Sequence, residues 1–514
     1  MNQALCNKCT NLVPAQVTQR GNQMFLQKEC PDCGRTESLI SSDAGRYNDK
    51  RSLAEESPHI PCGLGCRTCK IHKNPNLLFV DITNLCNLNC PICINNTPSM
   101  GFLFEPPIEY FERIFDHYAK LDPPPSFQLF GGEPTVREDL PQIIAMARAR
   151  GLATRVVTNG MKLADEDYCR KLIATRATLC FAYDNDDPAT YRVHRGNEKI
   201  LAVKLKAIDN IVKIGKAKVV LMSLVAKGYN DKKLPRLFQF CHDRRECIRA
   251  INFMLLAHTW DDEKTNIEAE RITPEDIELC IADAFPQDRI DFLPASFVGL
   301  MPTLAKALKI KPLPFAGAHP NCESMYVLVS DGNSYAPIGR YLKTSVLDLA
   351  RDLIALEKRL SLRWRGRDAQ VMRASKLEML RVGVAMVGLV LRNARLGSFL
   401  KGRGPGKAAH AAGLLWDLIA RRCKFRHALV RHTTAQSILQ LIVLPFEDQS
   451  NLETDRLVQC PTGFAFIDPV DDQVKHVPTC AWSLVKTKIM ADVMEKYPAK
   501  AKIAAGGASL SSTN

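Results

Sequence analysis

No stretch of this 514-residue chain is apolar for long enough to cross a bilayer. The best run, Val382 to Leu391, has ten residues, where a spanning helix needs about 20. The first residues, Met1 to Val13, lack a basic segment followed by an apolar core. No signal peptide is therefore expected, and a cytoplasmic location is, with peripheral contact to the membrane's cytoplasmic face left open. Acidic residues are scarce in one place only. Residues 351–431 carry 19 Lys and Arg against 5 Asp and Glu, which leaves 50 of each sign elsewhere, so one segment holds the whole net charge of +14. With 46% hydrophobic and 24% charged residues, a disordered chain is excluded.

The length exceeds one ordinary domain and suits a barrel of about 200–250 residues with smaller modules. Cysteine is abundant, at 19 residues, but so long a chain is not a small disulfide-stapled fold. Grouped thiols in a reducing compartment point to metal instead. Cys6-x2-Cys9 and Cys30-x2-Cys33, twenty residues apart, fit a tetrahedral four-thiolate centre of the rubredoxin or zinc-ribbon kind, with zinc and a single iron equally served. Polar residues 41–58 read as a linker. Cys62, Cys66 and Cys69 follow at C-x3-C-x2-C spacing, and Cys86, Cys90 and Cys93 repeat it. Three thiolates can hold three irons of a [4Fe–4S] cubane and leave the fourth open to a small molecule. Cys86 follows an extended apolar run, whereas Cys62 follows a loop with Pro58 and Pro61. Position therefore assigns the open cluster to Cys86, Cys90 and Cys93. The earlier trio, with Cys322, Cys460 and Cys480, is left for one or two auxiliary clusters. Cys169, Cys180, Cys241, Cys247, Cys280 and Cys423 lie in helical or strand patterns and read as buried or free thiols.

Strands are expected at Leu77–Ile82, Phe127–Phe130, Thr154–Thr158, Leu179–Tyr183, Val219–Val225 and Ile251–Leu256. Ile108, Phe111, Ile114, Phe115 and Tyr118 mark an amphipathic helix between the first two. Near-continuous apolar strands alternating with helices argue for a parallel α/β sheet buried on both faces. Six units make a partial (β/α)6 TIM-type barrel, whose functional groups belong at the C-terminal strand ends. Motifs fall there: Gly131-Gly132-Glu133-Pro134 after the second strand, Asn159-Gly160 after the third, and Asp184 to Gly196, with Arg195, after the fourth. His258 follows the sixth, and a structural role is the commoner one for a lone histidine.

Taken together, the cysteine loop Asp81 to Cys93, the Gly-Gly-Glu-Pro string and the Thr-Asn-Gly ending resemble the radical SAM superfamily. The resemblance implies a [4Fe–4S] cluster with S-adenosylmethionine (SAM), held by Cys86, Cys90 and Cys93. In it the 131–134 string and Glu133 receive the methionyl amino group, Asn159 lines the site, and Arg195 holds a SAM or substrate carboxylate. Ile92 departs from the aromatic residue many members carry before the third cysteine. The wider order of cysteines, ending in Cys322, Cys460 and Cys480, is similar to the tetraether synthases and their bacterial relatives. That likeness implies hydrogen abstraction from unactivated lipid carbons and C–C coupling of the chains. It also implies an electron donor such as ferredoxin or flavodoxin and a phospholipid or ether-lipid substrate, with nucleic acid not expected. Peptide modification by the same radical chemistry is the alternative, and a zinc-bearing RNA-binding protein a remote one.

The expected organisation is a metal module and linker at 1–58, an auxiliary segment at 59–76 and the barrel at 77–315. A second auxiliary segment spans 316–345, a basic helical insert 346–450, a last cluster segment 451–503 and a disordered tail 504–514. The insert, with basic residues interleaved among apolar ones, is expected beside the barrel mouth, facing lipid headgroups.

Overall fold

The computed structural model describes residues 2–54, 60–69, 71–95, 100–257, 267, 269–308, 314–368, 371–372, 375–419 and 425–498. His258, Cys423 and the tail 504–514 lie outside them.

Four antiparallel strands open the chain: β1 (Gln3–Leu5), β2 (Leu12–Arg20), β3 (Gln23–Cys30) and β4 (Gly34–Ser41). They bring Cys6, Cys9, Cys30 and Cys33 so close that their sulfurs all lie within 4.8 Å of one another. The described part of the expected linker 41–58 is not a linker. Residues Ala44–Arg51 form a helix, because Lys50 is buried between Glu275 and Glu278, at 2.7 and 2.6 Å. A buried ammonium needs such partners, and the pair fixes the module to the barrel.

The expected six-stranded parallel core is present as β5 (Leu77–Thr83), β6 (Ser126–Gly131), β7 (Thr154–Thr158), β8 (Thr178–Ala182), β9 (Val219–Val225) and β10 (Ile248–Leu255). They pair in sequence order, each parallel to the last. Every residue of β5 is buried, as a strand covered on both faces must be. The Ile108–Tyr118 helix turns its expected apolar face inward, with Phe111, Ile114 and Phe115 fully buried.

The sheet does not stop at six. Beyond β10 it continues through β14 (Ser437–Leu444), parallel, then β12 (Ser324–Ser330), antiparallel, flanked by β11 (Leu293–Pro294) and β13 (Tyr335–Pro337). Beyond β5 it gains β15 (Thr462–Ile467), parallel, and β16 (Val474–Pro478), antiparallel. The boundary drawn at 450 for the insert is thus corrected, since 437–444 is core sheet with Leu439, Leu441 and Val443 buried. The segments 316–345 and 451–503 likewise supply strands as well as cysteines. Trp482, stacked on Phe464 at 5.1 Å, donates to buried Asp81 at 2.9 Å and ties the C-terminal helix Trp482–Lys496 to β5.

The basic insert is rooted away from the expected place. It leaves after β13 and returns at Ser437, the end of β14 opposite the C-terminal ends of the parallel strands. Helices Val346–Trp364 and Lys376–Asn393 form an antiparallel pair along the β11 edge. One end of the pair is closed by Asn393 on Asp352, at 2.9 Å, and the other by Trp364 on Glu378, at 3.3 Å. Glu357 accepts from the backbone N–H groups of Thr303 and Leu304, at 2.9 and 2.8 Å, and anchors the pair to helix Pro302–Leu308. A later part, Pro405–Ile419 and Phe425–His432, packs near Ile438 at the start of β14. The insert therefore spans the edge of the barrel and its underside instead of crowning its mouth. Edge strands with unpaired backbone need covering, and that is where the chain places it.

Candidate active site

The cysteine loop leaves β5 at Thr83 and is held at its base by Asn84. Its amide donates to Phe102 O at 2.6 Å and accepts from Phe104 N at 2.8 Å. The exit of β6 is zipped onto the same loop. Gly132 N donates to Thr83 O and Glu133 N to Leu85 O, both at 2.7 Å. Side chains would forbid this approach: a Cβ on Gly131 would lie 2.1 Å from Thr83 O, and one on Gly132 2.2 Å from Leu85 O. Gly131 also sits at φ +132°, where other residues are strained. Gly132→Ala is accordingly expected to push the cysteine loop aside. 5′-Deoxyadenosine formation should fall about a hundred-fold, the scale of an ångström-sized misplacement. A wild-type rate in that variant would refute this reading of the glycine pair.

Cys86 is exposed, and Cys90 and Cys93 are half-buried. Burial, followed by the charges of Glu133, Cys90 and Cys93, pushes the Cys86 thiol up to about 11. Three thiols gathered on one loop are the donor set that a [4Fe–4S] group with one open iron requires. Two donors approach their sulfurs, Asn159 Nδ2 at 3.9 Å from Cys86 and Arg195 Nη1 at 4.0 Å from Cys90.

Glu133 and Arg195 have other engagements than those expected. The Glu133 carboxylate is buried and already accepts four hydrogen bonds, from Thr135 N and Oγ1, Thr158 Oγ1 and Asn159 N, at 2.5–3.0 Å. Burial raises its pKa against those four donors. It locks the ends of β6 and β7 together. Arg195 grips the fully buried Asp184 through Nε and Nη2, at 2.8–3.1 Å. The pair is largely buried and occupies two of the three guanidinium nitrogens. It closes helix Pro188–Arg195 onto the end of β8 and presents one arginine nitrogen to Cys90. His194, fully buried, places Nδ1 3.5 Å from the same carboxylate.

Sequence reading missed Lys204. Its Nζ donates to Asn159 O and Ala182 O, both at 2.5 Å, and clamps the ends of β7 and β8. Burial, then the neighbouring Arg195, pulls its ammonium down to about 7. The one available signal was a lysine on the apolar face of the Ile200–Ile214 helix. Ile92 is buried with Leu224, Ala226, Leu256 and Ile267, and Cys90, Val193 and Tyr229 pack against this group. Among the described residues the polar neighbours there are already used. Asn230 holds Ala226 N and Leu224 O, and Ser223 donates to Asp184 O. The wall beside Cys90 is thus apolar.

The six cysteines expected to hold auxiliary clusters fall into two groups. Cys66 is raised to about 12 by burial and then by Cys62 and Cys69. Cys480 is raised by burial and then by Glu447, Cys460 and Cys322. The second trio gathers where the two ends of the sheet meet, with Glu447 N 3.5 Å from Cys480 Sγ and Arg456 Nε 3.3 Å from the Glu447 carboxylate. Among the described residues no cysteine is in a disulfide.

Residues 80–241 match the radical SAM superfamily, and residues 2–42 match the HMPTM N-terminal zinc ribbon domain. The chain is 32% identical over 354 residues to 7,8-dihydro-6-hydroxymethylpterin dimethyltransferase of Methanocaldococcus jannaschii, covering 66% of this chain and 70% of that protein. It is 28% identical over 222 residues to the probable GTP 3′,8-cyclase of Methanothermobacter thermautotrophicus, covering 41% and 70%. Streptococcus suis SuiB bound to S-adenosylmethionine is a more distant solved structure, at 17% identity, a TM-score of 0.33 and coverage of 42% and 48%. A cysteine loop at the head of a parallel barrel, a zinc ribbon before it and a relative matched over most of its length agree: the chain is a radical SAM enzyme, using a [4Fe–4S] cluster and SAM, and belongs to the family of the M. jannaschii pterin dimethyltransferase.

Proposed function

We propose that this enzyme takes hydrogen from unactivated carbons of lipid alkyl chains and joins two such carbons by a C–C bond. The observation that carries the reading is the apolar wall of Ile92, Leu224, Ala226, Leu256 and Ile267 beside Cys90. A heterocycle would call for free hydrogen-bonding groups there, because a site that pairs a polar substrate must hold its complement. An alkyl chain needs none.

In this reading Cys86, Cys90 and Cys93 hold the cluster, and the 131–132 backbone, Asn159 and Arg195 border SAM. Cys62, Cys66 and Cys69, and separately Cys322, Cys460 and Cys480, hold auxiliary clusters, and the ribbon holds zinc or one iron. When bound, the cluster and SAM supply a 5′-deoxyadenosyl radical, the reagent an sp3 C–H bond demands and no side chain provides. The protein's part is to orient and to exclude water. Asn84 and the glycine pair fix the cysteine loop, Glu133 and Lys204 fix the strand ends, and the apolar wall keeps solvent from the radical. Electrons come from a ferredoxin- or flavodoxin-type donor.

A second reading, methyl transfer to a pterin, is favoured by the activity for which the M. jannaschii relative is named. Anaerobic reconstitution, followed by 5′-deoxyadenosine measurement with phospholipid extract or with 7,8-dihydro-6-hydroxymethylpterin, separates the two. Stimulation by lipid and a coupled product mass are expected. Stimulation by the pterin alone would replace the lipid reading with methylation, and indifference to both would favour a peptide substrate.

A further inference from the structure

The helix Lys376–Asn393 is apolar on two sides, and among the described residues only one is buried. Its inner side, with Val382, Ala385, Met386 and Leu389, packs on Leu304, Ala307, Leu356 and Leu360. Its outer side shows Leu377, Leu380, Val384 and Leu391 to solvent, at 56, 53, 61 and 49% exposure. At 100° per residue these four positions, with exposed Gly388 between them, fall in one stripe along the helix. Arg381 and Arg392 lie along one side of it, their side chains 46 and 73% exposed and paired with Glu378 and Asp352. Leu362, near the end of helix Val346–Trp364, and Val371 are also exposed. Scattered apolar surface residues are ordinary, but an aligned patch with a charged edge marks an interaction surface.

The charge decides what the surface fits. It lies within the segment that holds the chain's whole positive surplus, so a second copy would meet like charge. Nucleic acid would use the arginines but gains little from four aliphatic side chains. An anionic lipid leaflet uses both, acyl chains for the stripe and phosphates for the arginines. We infer that the outer face of this helix docks the enzyme on an anionic bilayer leaflet, Leu377, Leu380, Val384 and Leu391 entering the headgroup boundary and the adjoining arginines resting on lipid phosphates. This deepens the lipid reading and takes its purpose from it, because a substrate chain must be drawn from such a leaflet.

The test uses the full reconstituted chain and vesicles of equal parts phosphatidylglycerol and phosphatidylcholine. Wild type is expected to sediment with them and to bind pure phosphatidylcholine vesicles at least about ten-fold more weakly. The Leu380→Asp/Val384→Asp variant should lose at least about ten-fold in vesicle affinity. Its circular dichroism and its 5′-deoxyadenosine formation with detergent-dispersed lipid should match wild type, since both residues face away from the barrel. Undiminished vesicle binding by the variant would overturn docking through this face. So would a variant that loses self-association or RNA binding while wild type never bound vesicles. Failure of detergent-dispersed lipid to raise 5′-deoxyadenosine in wild type is a separate result. It would remove the lipid-substrate reading and leave the vesicle comparison standing on its own.

Discussion

Cys90→Ala is expected to abolish 5′-deoxyadenosine formation, by at least about a thousand-fold, while the chain stays folded. A cubane held by three thiolates has no spare protein ligand, so removing one releases the cluster instead of weakening it. Cys90 is also the sulfur that Arg195 approaches, at 4.0 Å, and that packs against the Ile92 wall. The fold tolerates the loss because the loop is fixed by backbone contacts to Thr83, Leu85, Phe102 and Phe104, none of which uses a thiol. Iron analysis and 5′-deoxyadenosine measurement, beside a circular dichroism spectrum, make the check. The variant should lose about four irons per chain and keep its spectrum and its ribbon metal. Retained activity with a full iron complement would move the SAM cluster to Cys62, Cys66 and Cys69, which share its spacing.

Asp184→Asn should be the most destabilising single change at the mouth, by about 3–5 kcal/mol, the usual cost of stranding one member of a buried ion pair. The substitution keeps size and shape, so the loss reports charge. Arg195 would keep its place near Cys90 with no carboxylate to balance it, and Leu224 N would lose an anionic acceptor at 3.0 Å. Burial alone would lift the Asp184 carboxyl, yet the charge of Arg195 and the neighbouring His194 hold it well below the usual carboxylate range. The folded form therefore binds the proton more weakly than the unfolded one, whose aspartate titrates near about 3.9. The stabilisation is complete above that pH and fades as pH falls toward the depressed native value. Urea midpoints should show wild type losing stability below about pH 4 while the Asn variant, already weakened, changes less there. Equal wild-type and variant midpoints at neutral pH would mean the pair carries no net stability.

Both expectations rest on features of unequal visibility in the sequence. The cysteine loop, the glycine pair and the six parallel strands are local. Each strand is a short apolar run that must be covered on both faces, and each motif follows its strand directly, so spacing and periodicity sufficed. The four-thiol ribbon is equally local, since two Cys-x2-Cys knuckles define it before any fold is known. β10 departed furthest, beginning at Ile248, three residues ahead of the expected start, while β6 and β8 each began one residue early.

What tertiary structure decided were the partners. That Glu133 spends its carboxylate on Thr135, Thr158 and Asn159, and Arg195 its guanidinium on Asp184, depends on strand ends meeting in space, which no spacing rule encodes. Lys204 looked like a lapse in an apolar helix face until two carbonyls from different strands were seen to receive it. Ser437–Leu444 read as the tail of an insert because its partner strands, β10 and β12, lie far away in the chain, and pairing across such distance leaves no local mark. The insert's composition announced a basic, apolar segment, but only packing showed that it covers a sheet edge and turns four aliphatic residues outward. Sequence thus determined the chemistry this protein can hold, because ligand type and backbone freedom belong to individual residues. Tertiary structure determined how that chemistry is positioned, because hydrogen bonds, ion pairs and covered edges are properties of residues brought together.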